Sequence, residues 1–155
     1  MTQHQSILVT GVCGFIGRYV ARYFCEQGWS VIGIDNSPPE NAPLPNLSTY
    51  HCFHLPDPAL NNLLQEYSPQ VCIHCAGRAS VGLSITNPVA DFYANTTLTF
   101  EILNALRINA PKCRFIFLSS AAVYGNPESL PVNETQSLAP LSQILHLPNK
   151  PVKNK

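Results

Sequence analysis

Charged side chains are scarce in this sequence: Asp, Glu, Lys and Arg make up only 12% of its 155 residues, and the formal net charge is zero. Without a basic field to hold a polyanion, we expect neither nucleic acid nor an anionic membrane surface as a partner. Long apolar runs are also missing, and the first residues lack the charged and apolar regions of a secretion signal. We therefore expect a cytoplasmic protein that does not cross a membrane.

The six cysteines do not suggest a disulfide framework, because they lie within apolar stretches and no secretion signal precedes them. We expect them to be buried as small hydrophobic residues. Cys72 and Cys75 have the C-x-x-C spacing of metal and redox sites, but in a strand they would point to opposite faces. The sequence therefore predicts no metal site, and His74, in the same apolar strand, is expected to have a packing role.

The most informative stretch is residues 6–35, whose pattern predicts a strand, a glycine-rich turn, a helix and a second strand. Gly11 allows a tight turn after the first strand, and Gly14 lets backbone N–H groups approach a pyrophosphate. Gly17 lets the following helix pack closely on the strand. The helix, predicted over residues 15–27, would attract phosphate with the positive end of its dipole.

Asp35 ends the second predicted strand, residues 31–35, where an acidic residue can accept hydrogen bonds from an adenosine ribose. Glycines at three-residue intervals can also serve only to pack a loop. The strand, helix, second strand and Asp35 all follow in the order that the motif requires, and this favours nucleotide binding over a packing loop.

Strands and helices continue to alternate as far as about residue 118. Further strands are predicted at residues 50–55, 71–75 and 115–118, with helices at 57–68 and 87–109. Helix-length connections between strands predict an α/β fold with a doubly wound parallel sheet and right-handed crossovers. From residue 126 the alternation stops and prolines become frequent, so we expect a Rossmann domain at 1–125 and a partly disordered tail at 126–155.

Four motifs together resemble the extended short-chain dehydrogenase/reductase superfamily, and within it the NAD-dependent epimerase/dehydratase family that acts on nucleotide sugars. These motifs are Gly11-x-x-Gly14-x-x-Gly17, Asp35, His74-x-Ala76-Gly77 and the sequence LSSAAVYG at residues 118–125. The resemblance covers about residues 6–142. It implies an NAD(P)-binding Rossmann fold with NAD as cofactor and a nucleotide sugar as the ancestral substrate.

The resemblance also implies roles for individual residues of the cofactor site. The residues implied to hold the diphosphate are Gly11, Gly14, Phe15, Ile16 and Gly17. Asp35 would bind the adenine ribose, and Ala76 and Gly77 would line the cofactor cleft.

Three further residues match positions close to the family's reaction centre. Ser120 matches the hydroxyl residue that hydrogen-bonds the reacting oxygen, and Ser119 would lie near the nicotinamide. Asn95 matches a residue of the long helix whose side chain stabilises the site. Considered without the family, serines at the end of a strand are more often turn formers.

The sequence departs from the family pattern at positions that matter for chemistry. His54 stands where the family has an adenine-contacting Asp, and Leu98 replaces a helix glycine. Ile144 and Pro148 occupy the positions of the catalytic Tyr-x-x-x-Lys, a pattern that occurs nowhere in the chain. The Tyr is the family's acid/base, and Pro148 would break the helix that carries the pair.

We therefore expect the NAD-binding portion of an epimerase/dehydratase-like protein, truncated before its catalytic helix and without a substrate domain. Its sheet would be incomplete on the C-terminal side, so the apolar strand at residues 115–118 would offer an edge for an oligomer or a partner. Two alternatives stay open: a non-catalytic NAD-binding, sensing or interaction module, and a gene fragment.

Overall fold

The computed structural model describes residues 5–41 and 46–140. Its strands and helices follow one another in this order: β1 (Ser6–Thr10), α1 (Phe15–Glu26), β2 (Ser30–Asp35), β3 (Thr49–Cys52), α2 (Ala59–Tyr67), β4 (Val71–His74), α3 (Val81–Thr86), α4 (Pro88–Phe92), α5 (Leu98–Asn109) and β5 (Arg114–Phe117). A π-helical turn, Tyr93–Thr97, lies between α4 and α5, and 3₁₀ turns occur at Pro39–Asn41 and Ala121–Tyr124.

The described residues form two compact units. The first comprises the described parts of residues 1–78 and 93–118, with all five strands, α1, α2 and α5. The second comprises residues 79–92 and the described residues from 119 on, with α3, α4 and the second 3₁₀ turn. The predicted boundary at residue 125 stays a prediction, and residues 141–155 of the predicted tail lie outside the described residues.

The first unit is built on a five-stranded parallel sheet in the order β3-β2-β1-β4-β5. Alternate side chains of the central strands point to opposite faces, as the two-residue period of a strand requires. Leu8, Ile32 and Cys72 join one apolar cluster with α2 and α5. Ile7 and Val31 join a second cluster that includes residues of α1. Helices on both faces confirm the predicted doubly wound fold.

Two local predictions were wrong, and one helix was not predicted. Strand β3 ends at Cys52 rather than at residue 55, because its partner β2 ends at Asp35 and the ladder stops there. The helix predicted over 87–109 is divided by the π-helical turn. Residues 81–86, which carried no helix prediction, form α3.

The predicted burial of the cysteines is correct for Cys72, which is fully buried, but wrong for Cys52, which is exposed at the end of β3. All six cysteines are free thiols. Cys72 and Cys75 contact opposite clusters, as predicted from the alternation of a strand. In the part of the chain that the structure describes, no three His, Cys, Asp or Glu side chains come together as metal ligands would.

Strand β5 is at the edge of the sheet formed by the described residues. Its side chains Ile116 and Phe117 are 45% and 55% exposed, so an apolar surface accompanies the unpaired backbone groups of this edge. None of the helices within residues 5–41 and 46–140 combines the length and the apolar character needed to cross a bilayer.

Candidate functional site

A cavity of about 400 Å³ opens at the carboxyl ends of β1, β2 and β4, where open α/β sheets bind ligands. All of the residues that line it belong to the first unit. They are Gly11, Cys13, Gly14, Ile34, Asp35, Asn36, Ser37, Phe53, His54, Leu55, Cys75, Ala76, Gly77, Arg78, Ala94 and Leu98. The volume is within the usual range for a small-molecule or cofactor site.

The glycine-rich turn between β1 and α1 has no room for side chains at its two ends. Gly11 has a positive φ of 66°, and an ideal Cβ on it would lie 2.7 Å from the backbone nitrogen of Ala76. A Cβ on Gly17 would overlap the carbonyl oxygen of Gly11 and lie 2.9 Å from the Cα of Val12. The first turn of α1 therefore packs directly on the backbone of the loop.

The N-terminus of α1 is open to an anion. Its N-cap residue, Gly14, has no side chain to cap the first N–H groups, and the first helical turn contains no acidic residue. Four N–H groups at the start of a helix lack intrahelical partners, and the helix dipole makes this end positive. Because Gly14 also lines the cavity, this end of the helix provides the arrangement that binds phosphate groups in other proteins.

Asp35, at the end of β2, is held by hydrogen bonds from two segments. Its Oδ2 accepts from the backbone N–H of Cys13 at 2.9 Å. Its Oδ1 accepts from the backbone N–H and the hydroxyl of Ser37, at 3.0 and 2.9 Å. The carboxylate thus has a fixed position at one end of the cavity, next to the glycine-rich turn.

Asn95 holds the loop that forms another wall of the cavity. Its side-chain oxygen accepts from the backbone N–H of Arg78 at 2.8 Å, and its side-chain nitrogen donates to the carbonyl of Arg78 at 3.1 Å. The same oxygen would lie 2.7 Å from a Cβ at Gly77, so only glycine leaves room for it. Asn95 does not line the cavity itself, and its effect is on the position of the loop.

His74 is buried at the end of β4, as predicted, with 2% of its surface exposed. Its Nδ1 is 2.7 Å from the hydroxyl oxygen of Thr10, and its ring packs against Phe115 and Phe117. The backbone N–H of Ala76 donates to the same Thr10 oxygen at 3.3 Å. Burial lowers the pKa of His74 to about 4, which makes it a neutral packing residue rather than a base at neutral pH.

The structure brings together one part of the predicted site. Gly11, Gly14, Asp35, Ala76 and Gly77 line one cavity. The other predicted cofactor residues of the turn, Phe15, Ile16 and Gly17, begin α1 without lining the cavity. Their contacts with a cofactor stay predictions.

Ser119 and Ser120 lie in the second unit and are both exposed. The Oγ of Ser120 accepts from the backbone N–H of Ala122 at 3.2 Å and caps the 3₁₀ turn, which is the turn-forming role that isolated serines often have. Their predicted roles near the nicotinamide and the substrate stay predictions. Ile144 and Pro148 lie outside the described residues.

Several cavity residues were not predicted from the sequence. Ser37, Phe53 and Arg78 line the cavity but belong to no motif, and Cys13 lines it from an unspecified position of the glycine motif. Their common signal is that each follows the end of a strand, at the edge of the sheet where ligands bind. His54 and Leu98, which were recognised only as departures from the family pattern, line the cavity as well.

Comparison with known proteins adds sequence evidence to this geometry. The model of a family described as the NAD dependent epimerase/dehydratase family matches residues 7–144. CDP-paratose 2-epimerase of Salmonella typhi is 33% identical over 141 residues, which cover 86% of this chain and 42% of that protein. UDP-glucose 4-epimerase of Mus musculus is 33% identical over 145 residues, covering 84% and 42% respectively.

Solved structures with a similar fold include UDP-glucose 4-epimerase from Brucella ovis in complex with NAD, with a TM-score of 0.81 and 29% identity. The alignment covers 90% of this chain and 43% of that one. UDP-glucose 4-epimerase from Thermotoga maritima, solved with UDP-glucose, has a TM-score of 0.79 and 30% identity, covering 90% and 46%. This chain thus spans about two fifths of the length of the curated relatives that it matches.

Proposed function

This chain belongs to the NAD-dependent epimerase/dehydratase family, and we propose that it binds NAD in the cavity at the carboxyl ends of β1, β2 and β4. It would thereby serve as the NAD-binding portion of a protein of the nucleotide-sugar epimerase/dehydratase type. The observation that carries the proposal is the meeting of an uncapped helix N-terminus, a side-chain-free glycine turn and the Asp35 carboxylate around one cavity.

Each part of the cavity suits one part of the dinucleotide. The diphosphate would lie at the N-terminus of α1, where Gly14 allows the approach and N–H groups are free to donate. The adenosine ribose would donate a hydroxyl hydrogen to Asp35. Among the described residues that line the cavity, Arg78 is the single Lys or Arg, and it adds positive charge for a ligand with two phosphates. When bound, NAD supplies the capacity to accept a hydride from a sugar carbon and to return it.

Titration calorimetry with NAD and NADP tests the binding proposal. We expect NAD to bind more tightly, because a 2′-phosphate would meet the negative charge of Asp35, and no Lys or Arg adjoins Asp35 in the sequence to receive it. The matched variant Asp35→Asn keeps the shape but loses the charge. It should weaken NAD binding by about 10-fold or more, since hydrogen bonds to charged groups contribute ~1.5–3 kcal/mol, and it should reduce the preference over NADP. Equal or tighter binding of NADP by the unaltered protein would contradict the expected preference, and absence of NAD binding would contradict the proposal.

We further propose that this chain alone does not turn over a sugar nucleotide. The sequence contains no Tyr-x-x-x-Lys, and general acid–base help is worth about 10²–10⁴-fold. His74 does not replace it, because its ring is buried against Phe115 and Phe117 and its pKa is lowered. This favours the second candidate function, a non-catalytic NAD-binding or sensing module.

The turnover test incubates the protein with NAD and UDP-, GDP- and dTDP-sugars and follows epimers and keto sugars by chromatography and mass spectrometry. The control is Ser120→Ala, which removes the one hydroxyl that the family resemblance assigns to the substrate. Product formation above that control would show that other groups perform the chemistry and would exclude the non-catalytic candidate. Tight NAD binding without product is the expected result.

A further inference from the structure

Four residues beside the cavity form a closed ring of hydrogen bonds. Cys13 follows β1, Asp35 ends β2, Ser37 lies just after β2, and Tyr50 is in β3. Asp35 accepts from the N–H of Cys13 and from the N–H and hydroxyl of Ser37. The hydroxyl of Tyr50 donates to the carbonyl of Ser37, and the thiol of Cys13 donates to the Tyr50 oxygen at 3.5 Å. Each member is therefore bonded to two others.

Three members line the cavity, whereas Tyr50 does not. The aromatic side chain of Tyr50 packs against the apolar cluster on the α1 face of the sheet. Only its hydroxyl takes part in the closed ring of hydrogen bonds. Tyr50 is thus anchored in the core and acts on the cavity through Ser37 and Cys13. This arrangement fixes two loops that follow different strands.

We propose that Tyr50 is a positioning residue that sets the cofactor specificity of the site, by holding Ser37 so that its hydroxyl hydrogen is committed to Asp35. This inference rests on the proposed binding of NAD. It assigns a role in the site to a residue that belongs to none of the motifs by which the family was recognised.

The consequence for specificity follows from counting hydrogen-bonding groups. A carboxylate has about four lone-pair positions, and protein donors occupy three on Asp35. The remaining position, on Oδ2, can accept one hydroxyl of a ribose. The Ser37 hydroxyl has already given its hydrogen to Asp35, so it has none to offer to a 2′-phosphate. Both residues therefore face the ligand as acceptors, and this favours a free ribose over a phosphorylated one.

The donors of the ring keep their hydrogens near neutral pH. Burial, with the nearby carboxylate of Asp35 as a smaller cause, raises the pKa of the Tyr50 phenol above its ordinary value. Burial likewise raises the pKa of the Cys13 thiol, and Asp35 again contributes. A neutral phenol and a neutral thiol can both donate, as the ring requires.

The variant Tyr50→Phe tests the inference because it removes one hydroxyl and keeps the apolar ring. The control is Tyr67→Phe, a half-buried tyrosine that packs on the opposite cluster and does not line the cavity. We expect Tyr50→Phe to weaken NAD binding by about three- to tenfold, because it removes the hydrogen bond to the Ser37 carbonyl and the weak one from the Cys13 thiol, and to lower the ratio of NAD to NADP affinity. Tyr67→Phe should leave both quantities within about twofold.

Hydrogen–deuterium exchange without cofactor provides a second measurement. The amides of Cys13 and Ser37 should exchange faster in Tyr50→Phe than in the unaltered protein, with no change at Gly28, which lies outside the ring.

The outcomes separate this inference from the proposed function. If the unaltered protein binds NAD with preference over NADP but Tyr50→Phe behaves as Tyr67→Phe does, the inference is overturned and the proposed function stands. An equal loss for both cofactors with an unchanged ratio would mean that Tyr50 supports the fold and does not set specificity. Absence of NAD binding by the unaltered protein would overturn both.

Discussion

The variant Gly17→Ala tests close packing against helix propensity, because the two predict opposite changes in the free energy of unfolding. Gly17 is in the first helical turns of α1, where alanine is favoured over glycine by about 1 kcal/mol. Propensity alone therefore predicts a more stable protein. The structure predicts the reverse, since the new Cβ would overlap the backbone of Gly11 and Val12.

The size of the loss follows from the atoms involved. The nearest groups to the new Cβ include the Gly11 carbonyl carbon at 2.8 Å and the Val12 Cα at 2.9 Å, and backbone atoms cannot turn aside as a side chain does. Overpacking typically costs about 1–3 kcal/mol, and a backbone clash belongs at the upper end. After about 1 kcal/mol of propensity gain, we expect a net loss of about 2 kcal/mol in the free energy of unfolding.

The matched control is Gly28→Ala, after the other end of α1. Gly28 has a positive φ of 78° and no atom within 4 Å of an added Cβ, so alanine there meets only the cost of a left-handed conformation, about 1–2 kcal/mol. Urea denaturation gives the two stability changes, and calorimetry gives the two affinities for NAD. We expect NAD binding to be lost or greatly weakened in Gly17→Ala and unchanged in Gly28→Ala. A Gly17→Ala protein as stable as the original, with unchanged affinity, would refute the argument.

Three further predictions concern other parts of the first unit. The free energy of unfolding should fall as the pH is lowered from about 6.5 to 4, by at most about 1.4 kcal/mol per pH unit from His74, because the unfolded chain binds a proton that the folded protein excludes. Urea denaturation of His74→Asn across this pH range should show that this contribution to the pH dependence has disappeared. Asn95→Asp keeps an acceptor for the N–H of Arg78 but loses the donor to the Arg78 carbonyl, so calorimetry should find that NAD binding is weaker by about three- to tenfold. An unchanged affinity would mean that the loop is held by other contacts. Ile116→Lys should reduce concentration-dependent association measured by light scattering, because a charge on β5 disfavours pairing of this edge strand with another chain. Ile108→Lys on α5, a control of similar exposure, should not reduce it, and equal effects would point to general surface hydrophobicity instead.

The fold was predictable from the sequence because its central strands, β1, β2 and β4, are buried on both faces. Continuous apolar runs such as residues 7–9 and 71–73 identify central parallel strands whatever surrounds them, and the helices between them fix the connections. The division of the helix at residues 87–109 was not predictable in this way. Its apolar residues have helical spacing on both sides of the π-helical turn, so the pattern does not reveal an inserted residue.

Part of the candidate site was likewise predictable from the sequence, and part was not. The glycines and Asp35 were predictable because a phosphate-binding turn needs particular residue types at fixed spacing. Ser37 and Tyr50 were not, because their contact depends on the pairing of β2 with β3, which brings together residues thirteen positions apart. A serine and a tyrosine at that separation form no motif.

The π-helical turn at Tyr93–Thr97 makes this stretch of chain intolerant of insertions and deletions. A π-helical turn contains one residue more than an α-helical turn. Each residue added to a helix rotates the residues before it by about 100° relative to those after it. The core needs Leu98 and Ile102 on its side of the helix, while the Arg78 loop needs Asn95. Loss of a single codon between Asn95 and Leu98 would keep the apolar stripe intact and turn the amide of Asn95 away from its loop. Such a protein should fold normally and lose only the geometry of the cavity. Insertions and deletions here are therefore expected to weaken cofactor binding without lowering stability.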